Sequence, residues 1–124
     1  MKIIELAFTV NPVTDMKKAR EFYEGLLRLE PGMVYEGESM GWVEYEIGPG
    51  VLALGSGAGF TKPSTDGASV ALEMENFDEA IQELKDSGCP FVLEPAETPV
   101  CHMAVILDPD GNSIIIHKRK AHNP

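Results

Sequence analysis

The sequence predicts an α+β domain of two βαβββ modules that form a curved mixed sheet with helices on its outer face. Three observations carry that prediction. The order strand, helix, strand, strand, strand runs through the first half and again through the second. Apolar residues alternate with period two where strands are expected and recur every three or four residues where helices are. The chain then closes on Asp108-Pro109-Asp110-Gly111-Asn112 between two aliphatic runs, Val100 to Leu107 and Ser113 to Lys118. Pro109 presets φ, Gly111 tolerates positive φ, and the Asp and Asn side chains can bond the local backbone, so the chain reverses into an antiparallel hairpin.

At 124 residues the chain makes one domain, 1–124, with module one about 1–57 and module two about 67–120. Neither half is long enough to bury a sheet face alone, which is the physical reason for pairing them. In Ile3 to Val10, residues Ile4, Leu6, Phe8 and Val10 share one face, and this stretch reads as a strand buried on that face. Asn11-Pro12-Val13-Thr14-Asp15 breaks the strand, and Thr14 or Asp15 can cap a helix over Met16 to Leu29 with Ala19, Phe22, Tyr23, Leu26 and Leu27 as its apolar stripe. Pro31-Gly32 stops that helix. Met33 to Glu36, Met40 to Ile47 and Val51 to Leu54 follow as short strands, and Gly55 to Gly67 reads as a linker or a pocket-covering loop.

The pattern restarts at Ser69 to Glu73. Asn76 or Asp78 can cap a helix from about Asp78 to Ser87, with Phe77, Ala80, Ile81 and Leu84 apolar and Gly88 as its end. Phe91 to Leu93, Pro99 to Leu107 and Ser113 to Lys118 supply three more strands.

Ten Lys+Arg against twenty Asp+Glu give a formal net charge of -10, which repels phosphate backbones and anionic membranes. No nucleic acid and no membrane partner is therefore expected. The basic run His117-Lys118-Arg119-Lys120 is too short to reverse that field and reads as a solvated tail. No apolar run approaches the roughly 20 residues that span a bilayer, and Glu5 comes too early for a signal peptide, so a cytoplasmic protein is expected. Cys89 and Cys101 follow no CxxC spacing, and a reduced, partly buried pair is expected rather than a disulfide or a metal clip.

Strand Glu5 to Val10, helix Ala19-Arg20-Glu21-Phe22-Tyr23-Glu24-Gly25-Leu26-Leu27, the restart at Ser69 to Glu75, and Asp108-Pro109-Asp110-Gly111-Asn112 with its strand together resemble the vicinal oxygen chelate superfamily. This is the glyoxalase, bleomycin-resistance protein and extradiol dioxygenase group, and the likeness spans nearly the whole chain. The resemblance implies a divalent metal acting as a Lewis acid on vicinal substrate oxygens, held by the first and last strand of each module. It places the ligand positions on Glu5, Ala53, Ser69 and Ile115. Ala53 and Ile115 cannot ligate and Ser69 is a poor ligand, so no metal is expected at the usual positions and no cofactor overall. A displaced divalent metal at Glu5, His102 and His117 is the alternative.

Trp42, Glu44 and Glu46 share one strand face, where a Trp beside two acids could stack and orient an aromatic or cationic ligand or simply pack against a neighbour. The ligand pocket is accordingly expected at Glu5, Trp42, Glu44, Ser69, His102 and His117. A desolvated Glu5 could act as a base or pair with a cationic ligand. His102 could line the pocket and His117 could reach solvent at the strand end. The functional expectation is a glyoxalase-like protein that binds a small organic ligand, and the resemblance implies a homodimer. The alternatives are a metal-dependent lyase, isomerase or dioxygenase with a displaced site, and a drug-sequestering resistance protein.

Overall fold

The computed structural model describes residues 1–57, 59–60 and 62–121; Ala58 and Thr61 of the expected linker lie outside the described residues. The chain divides into two compact units, Met1–Pro63 and Ser64–Pro124. The first contains β1 (Thr9–Pro12), α1 (Met16–Arg20), β2 (Pro31–Glu36), β3 (Met40–Ile47) and β4 (Gly50–Gly57). The second contains β5 (Val70–Glu73), α2 (Phe77–Asp86), β6 (Phe91–Glu97), β7 (Cys101–Leu107) and β8 (Ser113–Arg119). Each unit holds one four-stranded sheet, in the orders β1-β4-β3-β2 and β5-β8-β7-β6. The pairs β1–β4 and β5–β8 are parallel and the rest antiparallel, so each sheet is mixed. The fold is α+β, as the element order predicts.

Helix starts follow the capping chemistry read from the sequence. The Asp15 carboxylate accepts from the Lys18 N–H at 3.1 Å, and the Asn76 side-chain oxygen accepts from the Glu79 N–H at 3.1 Å. Helix α1 is regular only to Arg20 and continues as a wider π-type turn over Glu21–Leu26. The first unit's helical segment is followed by Arg28 at φ 59°, and α2 by Gly88 at φ 77°, both left-handed.

Packing corrects the expected first strand. Thr9 to Pro12 alone pair, with Leu52 to Gly55, and because β4 starts at Gly50 the parallel register leaves residues upstream of Ala7 no strand to join. Ile3, Ile4 and Leu6 are more than four-fifths exposed, instead of forming a buried face. On this strand the core side belongs to Asn11, 5% exposed, whose amide donates to the Tyr23 hydroxyl at 2.8 Å, and the core continues at fully buried Val13. Tyr23, Val43, Tyr45, Leu52 and Leu54 complete the first core, and Leu84, Ala104, Ile106, Ile114 and Ile116 form the second.

Polar groups border the first core. Arg20 donates from Nε to Glu24 at 2.7 Å, and the Tyr45 hydroxyl donates to the same carboxylate at 2.9 Å. The Arg20 hydrogen bond holds the Glu24 carboxyl below its ordinary value, and burial with the bond to Glu24 raises the Tyr45 phenol. A depressed carboxyl stabilises the fold above its unfolded pKa, about 4.3, and that contribution is lost as pH falls through the lower folded value. Arg20→Gln is therefore less stable than the parent near neutrality by under about 1 kcal/mol, given a pair that is a quarter exposed. Acid unfolding followed by circular dichroism checks this: the gap narrows below about pH 4, and a constant gap would refute the assignment.

The terminal hairpin forms as its sequence dictates. Asp108, 4% exposed, accepts from the Asp110 and Asn112 backbone N–H groups at 2.9 Å each and from the Asn112 side-chain amide at 2.9 Å. Gly111 sits at φ 87°. A β-branched residue resists that conformation, so Gly111→Val lowers stability by about 2 kcal/mol. An unchanged thermal midpoint would overturn this role for the turn.

Candidate functional site

Cross-strand register separates the face of each sheet that carries its helix from the face turned away from it. In the first unit, Asn11, Leu54 and Val43 are register partners and bury toward α1. The alternate positions form two rows on the other face. One row runs Pro12, Gly55, Trp42, Tyr35 and the next Val10, Ala53, Glu44, Met33. Trp42 and Glu44 therefore share one surface, as their spacing predicts, and the indole N–H donates to the Glu44 carboxylate at 2.8 Å.

Two further aromatic side chains join them. The Phe8 ring meets Trp42 edge-on at 5.2 Å between centroids, and Phe60 lies at 5.6 Å with its plane tilted 58°. Phe60 seats over Gly55, where a Cβ would stand 2.8 Å from its ring. The missing side chain at residue 55 makes the place for that ring. The result is an aromatic cluster on a sheet face with a carboxylate at its edge. Such a cluster supplies flat apolar area, a negative ring face and a negative charge, which together suit an aromatic or cationic body.

Sequence reading missed Phe8 and Phe60. Phe8 is grouped there with the buried face of a longer strand, and Phe60 is one aromatic within a loop of small residues. A signal for Phe8 exists in the repeat. The caps Asp15 and Asn76 are equivalent, and counting seven residues back from each gives Phe8 and Ser69. Sheet register agrees: Val10 pairs with Ala53 as Ala71 pairs with Ile115, so Phe8 and Ser69 each lie two residues before the partner of an equivalent β4 or β8 position. Glu5 lies three residues upstream of that position, exposed and before β1.

In the second unit the face turned away from α2 carries Ser69, Glu73, Ser113, Ile115 and His117. The Ser69 and Ser113 hydroxyls are hydrogen-bonded, and His117 Nδ1 meets the Glu73 carboxylate at 2.6 Å. His102 does not belong to this group. Its partner on β8 is Lys118, whereas His117 pairs with Met103, so the two imidazoles stand on opposite faces. The His102 ring packs 5.7 Å from Phe77 of α2. The expected convergence of Glu5, His102 and His117 is thereby corrected: period-two alternation across a fixed register puts the two histidines on opposite sides of the sheet.

The residues present do not fit the metal that the fold family implies. Ala53 and Ile115 offer no lone pair, the Ser69 hydroxyl is hydrogen-bonded to Ser113, and Phe8 stands where the repeat puts the remaining ligand position. Among the described residues no three of His, Cys, Asp and Glu gather into a metal-holding group. Both cysteines are free thiols, Cys101 buried and Cys89 partly so, and burial raises the Cys89 thiol above its ordinary value. No helix among the described residues is long and apolar enough to cross a membrane.

Comparison with known proteins agrees with the fold. The family model of the Glyoxalase/Bleomycin resistance protein/Dioxygenase superfamily matches residues 5–116. No curated protein matches the sequence at a significant level. Among solved structures, the chain is similar to TnmS3, an antibiotic binding protein from Streptomyces sp. CB03234, with 23% identity and a TM-score of 0.80 over 97% of this chain and 99% of that one. A glyoxalase/bleomycin resistance protein from the same Streptomyces aligns at 23% identity and TM-score 0.73, covering 90% of this chain and 98% of that one. The trypanothione-dependent glyoxalase I of Leishmania major aligns at 22% identity and TM-score 0.76, covering 94% and 87%. At these identities the likenesses speak to the fold.

Proposed function

Because this chain belongs to the Glyoxalase/Bleomycin resistance protein/Dioxygenase superfamily, we propose that it is a small-molecule-binding protein that captures an aromatic, cationic organic compound without the family's metal. The observation that carries this reading is the cluster of Phe8, Trp42 and Phe60 with Glu44 at its edge. An aromatic ligand gains by stacking on flat apolar area already assembled, and a cationic group on it gains from the Trp42 ring face and the Glu44 carboxylate together. The formal charge of -10 favours the approach of a cation further. A structural neighbour is an antibiotic binding protein, and sequestration of a drug-like compound without turnover is the use we assign to the site.

The reading includes association of two copies, as the family resemblance implies. Exposed Ile3, Ile4 and Leu6 upstream of β1, and exposed Met33, Val34 and Tyr35 on the edge strand β2, are apolar surface that a second copy would cover. Sedimentation equilibrium gives the mass directly, and a monomer at micromolar concentration would remove this part.

The ligand test is calorimetric titration of the purified protein with a panel of cationic aromatic antibiotics and their neutral analogues, beside elemental analysis of the same sample. At least one cationic compound binds at 1:1 without being consumed, and Glu44→Gln weakens it by about tenfold while leaving the neutral analogue unchanged. Silence across the panel, or stoichiometric Zn, Ni, Mn or Fe required for binding, would sink the proposal.

A further inference from the structure

A separate cleft of about 550 Å3 lies within the C-terminal unit, where the start of β7 meets the end of β8. His117, Arg119 and Lys120 line it together with Pro99, Val100 and Ala121. Its chemistry runs against that of the chain: a protein of formal charge -10 presents here a wall with no acidic side chain.

The neighbouring carboxylates are already engaged. Glu73 accepts from His117 Nδ1 at 2.6 Å and from the Arg119 backbone N–H at 2.7 Å, and Glu97 pairs with the Lys120 ammonium. Arg119 is different. Its guanidinium reaches Glu73 only at 4.0 Å and its side chain is 78% exposed, so its planar fork of donors is open to another partner. His117 is oriented by Glu73: with Nδ1 donating to that carboxylate, Nε2 is the ring nitrogen left to accept. The remaining wall is Pro99, Val100, Cys101 and Ala121, apolar but for the Cys101 thiol.

We propose that this cleft binds a small organic acid that carries a hydrogen-bond donor beside its carboxylate and a short apolar body. The carboxylate pairs with the Arg119 guanidinium, the adjacent hydroxyl or N–H donates to His117 Nε2, and the body rests on Pro99, Val100 and Ala121. A bare phosphate suits the cleft less well. Lys120 is committed to Glu97, and the apolar wall gives a small, strongly hydrated dianion nothing in return for its water.

The test is a titration of the intact protein with mandelate, read by calorimetry and by amide chemical shifts. Phenylacetate lacks the hydroxyl, benzyl alcohol lacks the carboxylate, and inorganic phosphate lacks the apolar body. Mandelate is expected to saturate the β7–β8 amides with a Kd of about 1 mM or tighter, and phenylacetate to bind severalfold more weakly. Benzyl alcohol and phosphate should give no saturable change. Arg119→Gln, a change at an exposed position, should weaken mandelate by about tenfold with an unaltered circular dichroism spectrum, and Glu73→Gln should remove the advantage over phenylacetate. Phosphate binding as well as mandelate, indifference to Arg119→Gln, or no saturation at tens of millimolar mandelate would each overturn the proposal.

Discussion

Gly57→Ala lowers the stability of this protein by about 2–5 kcal/mol, enough to move its thermal midpoint by about 10 °C or more. Gly57 ends β4 at φ 67°, and a Cβ built there would stand 2.2 Å from the Ser39 carbonyl oxygen and 3.1 Å from its carbon. Two penalties add. The left-handed backbone is costly for any residue with a side chain, and the obstacle is main chain, which cannot rotate away as a side chain would. Its partner in the sheet is Met40, so relieving the clash means opening the first β3–β4 pair. Gly25→Ala provides the contrast, because nothing lies within 4 Å of a Cβ at that position and it sits in the helical continuation of α1. That change is expected to stabilise by about 0.5–1 kcal/mol. Thermal unfolding of both variants is the measurement, and a Gly57→Ala midpoint within 2 °C of the parent would contradict the assigned backbone contact.

Trp42→Ala weakens capture of the cationic aromatic ligand by about 30- to 100-fold, or about 2–3 kcal/mol. The indole is the member of the cluster that meets both Phe8 and Phe60, and it donates to Glu44. Truncating it removes the stacking area and the ring face seen by a cation. It also releases the Glu44 carboxylate from its fixed position. The loss should therefore exceed that of Glu44→Gln, which removes the charge alone. Gly55→Val reports on the same site from beneath. Its side chain would meet the Phe60 ring, which must move from its place beside Trp42, so affinity falls although the indole itself is retained. Calorimetry on the three variants distinguishes these effects. Equal affinity of parent and Trp42→Ala would place the ligand elsewhere.

How far the sequence could be read depended on the range of the interactions involved. The α+β class, the repeated element order, the caps at Asp15 and Asn76 and the turn at Gly111 follow from local chemistry: side chains reaching nearby backbone, fixed or permissive φ, and apolar periodicity. The pairing of Trp42 with Glu44 on one face follows from the two-residue strand period, and the unsuitability of Ala53 and Ile115 as ligands from their covalent structure alone. Tertiary structure decided the rest. The reach of β1 is limited by where β4 begins, so Ile3 to Leu6 have no partner in the sheet although their pattern suits a strand. The sides taken by His102 and His117 depend on the register of β7 against β8, where a slip of one residue would have brought them to a single face. The placement of Phe60 over Gly55 joins a loop to a strand floor across residues that share no sequence period. Side-chain type and local conformation are written in neighbouring residues, whereas strand ends, register and loop closure are settled by groups distant in the chain, and the candidate site is made mainly of those.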